Sequence, residues 1–233
     1  MPDVEGKPMY EEILATVPLF SSLTGDQLAA VAVRLKRRQF EERDVIIRQD
    51  DPGDAMFVLV SGRVKVSVQE GEGETILAVL GAGDCFGELA LVDGERRSAD
   101  VVAVEPTEVL ILSTQDFQDS VREMPGIAFG LLREMAGRLR RSNQWVRSLS
   151  SQDVYGRIAA QLLHLADTHG VDVPGGRRIL LRLTQNDLAA IIGSSRESVN
   201  KAVGYFKTKR VISVDTSYHI TIHDTDSLRK RSR

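Results

Sequence analysis

The chain has 233 residues, 42% hydrophobic and 27% charged, with a formal net charge of −3. That length suits two domains that each bury a core, and no apolar run approaches the roughly 18 residues a membrane span requires. The single cysteine, Cys85, excludes an internal disulfide and any cluster needing several thiolates, which leaves it the role of a small buried apolar residue. The first seven residues are acidic and carry no apolar signal core, so a cytoplasmic protein is expected. Charge is uneven: residues 1–152 hold 17 Lys/Arg against 25 Asp/Glu, and residues 153–233 hold 13 against 8. A net of +5 in the second part invites a nucleic-acid partner only if a motif supports it.

From the amino end, a helix is expected over about 9–16. A second follows Thr24-Gly25-Asp26-Gln27, whose hydroxyl and Gln have capping-box spacing ahead of Leu28, Val31, Ala32 and Leu35. Beyond Gln39 the period becomes two, with Val64, Val66 and Val68 alternating with polar residues. Turn signals at Asp51-Pro52-Gly53, Ser61-Gly62, Gly71-Glu72-Gly73, Gly81-Ala82-Gly83-Asp84 and Asp93-Gly94 divide these runs. Further strands are predicted over 98–104 and 107–112. Many short strands with regular turns predict an antiparallel jelly roll. Such a fold can hold a metal on histidines, but His164, His169, His219 and His223 all lie outside it. No nucleophile elbow, P-loop or supported acid pair appears, so no enzyme and no metal are expected.

Within the barrel, Phe86-Gly87-Glu88-Leu89-Ala90-Leu91 is followed by Arg97-Ser98-Ala99. Gly87 to Leu91 predicts a turn of helix whose free N–H groups suit a phosphate, Arg97 can pair with that phosphate bidentately, and Ser98 adds a donor. Glu88 can only accept when ionised, so beside a phosphate it needs a donor such as a ribose 2′-hydroxyl. This segment resembles the phosphate-binding cassette of cyclic-nucleotide-binding domains. The resemblance implies that Gly87 and Glu88 take the ribose, that Arg97 and Ser98 take the cyclic phosphate, and that Leu89 and Ala90 belong to the same ligand-binding segment.

After Pro125-Gly126 a long helix is predicted. Ala128, Leu132, Met135, Leu139, Ser142, Val146 and Leu149 step by 4 and 3 in turn, a heptad seam that predicts a parallel two-stranded coiled coil and hence a homodimer. One apolar stripe packed on the chain's own barrel would give a similar pattern. Resemblance to the cyclic-AMP receptor protein family implies that Ser142 and Asn143 contact the base. Asn143 departs from the family's two-hydroxyl version, which leaves cyclic AMP and a cyclic dinucleotide both open as effectors.

Ser150-Ser151-Gln152 reads as a polar hinge, with Asp153 capping the next helix, and a loop is expected around Pro174-Gly175-Gly176. Thr184-Gln185-Asn186-Asp187 opens a short helix that Gly193 stops. Ala189, Gly193 and Val199 then have helix-turn-helix spacing. The second helix is expected from Ser194, with Glu197 as its capping-box partner and Val199, Val203 and Phe206 facing the core. Arg196, Glu197, Asn200 and Lys201 fall on the opposite face, where they can read base edges, while Thr184, Gln185 and Ser195 suit phosphate contacts. A hairpin wing is predicted over 211–222, and Arg229 to Arg233 is read as a solvated basic end.

The run from Ser195 to Lys201 resembles the recognition helix of the cyclic-AMP receptor protein and its Fnr-type relatives, with the actinobacterial receptors most alike. Lys201 stands where some members have Arg. The expected fold class is α+β: a cyclic-nucleotide-binding jelly roll (1–125), a dimerisation helix and hinge (126–152) and a winged helix-turn-helix (153–233). The resemblance implies a cytoplasmic homodimer that binds a palindromic double-stranded DNA operator near TGTGA–TCACA, responds to cyclic AMP and acts on RNA polymerase, for which the 167–178 loop is the expected contact. A cyclic-dinucleotide sensor and a ligand-independent DNA binder with a vestigial pocket stand beside it as alternatives.

Overall fold

A computed structural model describes residues 7–71 and 73–232. The acidic stretch before Lys7 and the final Arg233 lie outside the described residues. The chain divides into two compact units: Ile76–Arg140 joins the chain up to Gln69, and Glu70–Thr75 joins the chain from Arg141 onward.

The first unit opens with helices α1 (Lys7–Thr16) and α2 (Gly25–Ala32), separated by a 3-10 turn over Pro18–Phe20. The expected capping box is present: the Thr24 hydroxyl accepts from the Gln27 N–H and the Gln27 side chain accepts from the Thr24 N–H. Six strands follow, β1 (Lys36–Phe40), β2 (Val45–Ile47), β3 (Ala55–Ser61), β4 (Val64–Glu70), β5 (Gly73–Leu80) and β6 (Cys85–Phe86). Helix α3 (Leu89–Asp93), strands β7 (Asp100–Ala103) and β8 (Thr107–Ser113), and helix α4 (Thr114–Glu123) complete the barrel region.

The strands form two four-stranded sheets, ordered β1-β8-β3-β6 and β2-β7-β4-β5, which is the jelly roll expected from the turn spacing. Strand β3 is apolar from Ala55 to Val60, and both its faces are covered there, before it ends at the exposed Ser61. Phe57 and Leu59 enter the cluster with Phe40, Ile47, Val64, Phe86, Val101 and Val109, whereas Met56 and Val58 pack with Leu14, Phe20, Val31, Phe117 and Ile127 from the helices. In β4 the alternation holds through Val64 and Val66; beyond them Ser67 is buried and Val68 is half-buried.

Helix α5 spans Gly126–Ser151 and has two apolar faces. Ile127 and Leu131 are buried against the barrel helices and Met135 packs beside them, so this one seam member serves the chain's own core. The other stripe remains uncovered: Leu132, Leu139 and Val146 are 63%, 62% and 61% exposed.

The second unit contains α6 (Val154–His169), β9 (Gly170–Val173), β10 (Gly176–Ile179), α7 (Gln185–Ile192), α8 (Arg196–Thr208), β11 (Ile212–Val214), β12 (Ile220–Ile222) and α9 (Thr225–Arg231). Asp153 caps α6 by accepting from the Gly156 N–H. Its four strands form one antiparallel sheet, β11-β12-β10-β9. Two sequence expectations are corrected here. The stretch read as a loop around Pro174 is the β9–β10 hairpin, with Gly176 paired to Val173. Within the basic end, Arg229 and Lys230 are exposed as expected, but Arg229 to Arg231 form the last turn of α9 rather than a tail: Leu228 before them is fully buried, and Arg231 pairs with Asp153 and lies 5.6 Å from the Tyr155 ring centroid. The Arg231 ion pair and ring contact tie the end of α9 to the start of α6.

Candidate functional site

The cassette turns sharply where the strand β6 gives way to α3. Gly87 has φ +77, a conformation that favours glycine, and a Cβ there would come within 2.8 Å of Arg97 Nη1. The helix itself begins at Leu89, two residues later than expected, so Gly87 and Glu88 form the approach to it. Ala90 is buried and Leu89 partly exposed at the helix start.

Arg97 is only 6% exposed, far from the surface role an isolated arginine usually takes. Its Nη1 donates to the Gly87 carbonyl at 2.7 Å and its Nη2 to the Ala55 carbonyl at 2.8 Å, with Asp54 3.8 Å away. Its backbone is pinned on both sides, since its N–H donates to the Asp51 carbonyl and its carbonyl accepts from Asp50. Burial lowers its pKa, opposed by Asp54, Glu88 and Asp51. Ser98, the next residue, is exposed.

Glu88 is 1% exposed. One carboxylate oxygen, Oε1, accepts from Arg138 Nη1 at 2.7 Å, and the other, Oε2, is buried with no hydrogen-bond partner. Burial pushes its pKa up, and the Arg138 guanidinium limits the rise. Arg138 also donates to the Cys85 carbonyl at 2.7 Å and pairs with Glu134. It therefore fixes the carboxylate from α5, fifty residues along the chain. Sequence reasoning missed this residue, because Glu134 and Arg138 at i and i+4 read as an ordinary solvated pair. Cys85 is buried and unpaired as expected, its thiol pushed up to about 12 chiefly by burial.

An orphaned buried acceptor is costly, and a hydroxyl donor would relieve it. A carboxylate with one unused oxygen, next in sequence to a glycine whose carbonyl meets a buried guanidinium, suits a ligand that carries a hydroxyl and an anion together. Ser142 and Asn143 lie on α5 in the other unit, and both are exposed.

In the second unit, Thr184 caps α7 through a box with Asp187, and Gly193 ends that helix at φ +58, where glycine is favoured. The next helix starts one residue later than expected. Ser195, not Ser194, is its cap and accepts from the Ser198 N–H, so Glu197 is not a capping partner. The αL turn at Gly193 displaces the helix start by that residue, and Glu197 instead pairs with Lys201 at 2.7 Å. Val199, Ala202, Val203 and Phe206 are buried, while Arg196, Glu197, Asn200 and Lys201 are all exposed on one face. Gln185 Nε2 donates to Asn200 Oδ1 at 2.9 Å, a link between α7 and α8 with no signature in the sequence. Thr184 and Ser195 are exposed at the two helix starts, their hydroxyls engaged as caps.

Among the described residues no group of three or more His, Cys, Asp or Glu could hold a metal ion, and no helix is long and apolar enough to cross a membrane.

Comparisons with known proteins bear on both halves. Residues 37–123 match the family model of the cyclic nucleotide-binding domain and residues 156–231 that of the Crp-like helix-turn-helix domain. The chain is 32% identical to the CRP-like cAMP-activated global transcriptional regulator of Mycobacterium tuberculosis, over 96% of this chain and 100% of that one. It is 34% identical to the cyclic AMP receptor protein of Thermus thermophilus, over 80% and 83% of the two chains. In fold it resembles the c-di-GMP responsive global regulator CLP of Xanthomonas campestris, with a TM-score of 0.75 at 20% identity, covering 86% of this chain and 99% of that one. With the cassette in its jelly roll and an exposed polar face on the second helix of its helix-turn-helix, the chain belongs to the Crp/Fnr family of cyclic-nucleotide-binding transcription regulators.

Proposed function

We propose that this regulator takes cyclic AMP as its effector and binds a two-fold symmetric operator in double-stranded DNA as a homodimer, in the cytoplasm, acting on RNA polymerase without a catalytic step or a metal. The observation that carries this reading is Glu88, whose buried Oε2 lacks a partner beside the Gly87–Arg97 contact. A ribose 2′-hydroxyl donating to that oxygen and a cyclic phosphate accepting from Arg97 and Ser98 would satisfy both groups. Gly87, Leu89 and Ala90 shape the approach, and Ser142 and Asn143 meet the base. The uncovered stripe of Leu132, Leu139 and Val146 is the dimer seam of a helix-and-hinge segment (126–152) between the effector domain (1–125) and the DNA-binding domain (153–233). Arg196, Glu197, Asn200 and Lys201 read bases, with Thr184, Gln185 and Ser195 against phosphates.

A ligand that switches a dimer from about 1:99 to 99:1 active needs about 5.5 kcal/mol of differential affinity, which favours contacts to both the cassette and the helix. Calorimetric titration with cyclic AMP, cyclic GMP and cyclic di-GMP, combined with operator anisotropy, tests the reading. Cyclic AMP is expected to bind and to tighten operator binding. Tightening by the dinucleotide alone would assign the effector to that class, which Asn143 in place of a second hydroxyl residue leaves open. Equal operator affinity with every nucleotide would leave a ligand-independent binder.

A further inference from the structure

Asparagine recognises a base edge by orientation: its Oδ1 accepts, its Nδ2 donates, and an unrestrained side-chain amide can turn over to exchange the two. Three of the four outward residues on α8 are already committed or restrained differently. Glu197 and Lys201 satisfy each other at 2.7 Å, and Asn200 is held from another helix. The holding residue is Gln185, the first residue of α7, half-buried and directly after the Thr184 cap. Its Nε2 donates to Asn200 Oδ1 at 2.9 Å, so the oxygen of Asn200 points to α7 and both N–H groups of Nδ2 have no protein partner among the described residues.

We propose that Gln185 is a positioning residue that fixes the amide orientation of Asn200, making Asn200 a donor toward one base pair of the operator. The matching partners are the acceptors of the major groove: guanine O6 and N7, adenine N7 or thymine O4. This rests on the reading of α8 as the helix that enters the groove. It differs from that reading in what Gln185 does, since a phosphate contact positions the protein without changing which base is preferred.

Selection from randomised duplex DNA by the full-length protein, with and without cyclic AMP, gives the base preference at every position. Asn200→Ala and Gln185→Ala are expected to lose preference at the same base pair, each by about fivefold or more, and the double variant to lose no more than either. Gln185→Glu cannot donate to Oδ1 but can accept from Nδ2. It is expected to turn the amide over and move the preference at that pair toward a base that offers a donor, adenine or cytosine. Uniform weakening by Gln185→Ala, additive with Asn200→Ala, would overturn the proposal, as would an unchanged preference in Gln185→Glu. If Asn200→Ala alone left every position unchanged, the proposal would fall while base preference set by Arg196 and Glu197 kept α8 in the groove; loss of preference in none of the Arg196, Glu197 and Asn200 alanine variants would overturn that placement too.

Discussion

The two candidate sites are built in opposite ways. In the cassette, Glu88 and Arg97 are 1% and 6% exposed, Arg97 bound to backbone carbonyls and Glu88 to Arg138, so this candidate site is part of the interior of its unit. On α8, every proposed reading residue is exposed, and the bonds among them join surface side chains. Groups in the first site support the fold, so a change there is expected to affect fold and ligand binding together. Groups in the second can change recognition while the fold is untouched, because solvated pairs contribute little to stability.

The largest effect that would sharpen this contrast is Arg97→Ala. Removing a charged donor to the phosphate is expected to weaken cyclic AMP by about 3 kcal/mol or more, roughly 150-fold. The same change strips the Gly87 and Ala55 carbonyls of their buried partner, so the melting temperature should fall as well, by an amount equivalent to about 1–3 kcal/mol. Calorimetry and thermal melts check both; an unchanged affinity would remove Arg97 from the site, and an unchanged melting temperature would break the claim that it serves the interior.

A smaller effect is expected with pH. Burial raises the pKa of Glu88 above its ordinary value of 4.5. In the ligand-free protein a raised carboxyl contributes most below the unfolded pKa, and stability is lost as pH rises toward the folded one. A ribose hydroxyl donating to the carboxylate favours the ionised form. Cyclic AMP affinity should therefore rise over the same window in which the ligand-free protein loses stability, by at most about tenfold per pH unit. Glu88→Gln should flatten both trends, and a pH-independent affinity in the parent protein would place the ribose elsewhere.

The smallest effect on stability belongs to Glu197→Ala. Losing its i,i+4 pair with Lys201 should cost no more than about 0.5 kcal/mol, within the scatter of a thermal melt. Discrimination at one operator base pair should nonetheless fall by about 1–3 kcal/mol in gel shifts with operator variants. Equal weakening on all variants would make Glu197 a purely structural partner of Lys201 and remove the contrast on the DNA side.

What could be read in the chain followed the range of the interactions. Thr24 and Gln27 cap their helix as their spacing predicts, Asp153 caps α6, and the helix expected to open at Thr184 does so, through a box with Asp187. The sharp turn at Gly87 was legible too, because its φ of +77 is a shape that glycine favours, although the helix after it starts at Leu89. The β9–β10 hairpin carried a signal that went unused: Val171 and Val173 alternate with Gly170 and Asp172 ahead of Pro174-Gly175. The choice between Ser194 and Ser195 as cap could not be made from two adjacent serines, since it depends on the backbone conformation at Gly193.

By itself, then, the sequence determined the caps at Thr24 and Asp153, the jelly-roll and helix-turn-helix plan, and the residue types at both sites. Each of these rests on contacts within a few residues or on a face repeated at a fixed period. Tertiary structure alone decided that Arg138 would clamp Glu88 and leave its second oxygen unpartnered, that Gln185 would reach Asn200, and that Arg231 would close on Asp153. Those bonds join side chains 50, 15 and 78 residues apart, and their strength comes from where packing buries or juxtaposes them, which no local pattern encodes.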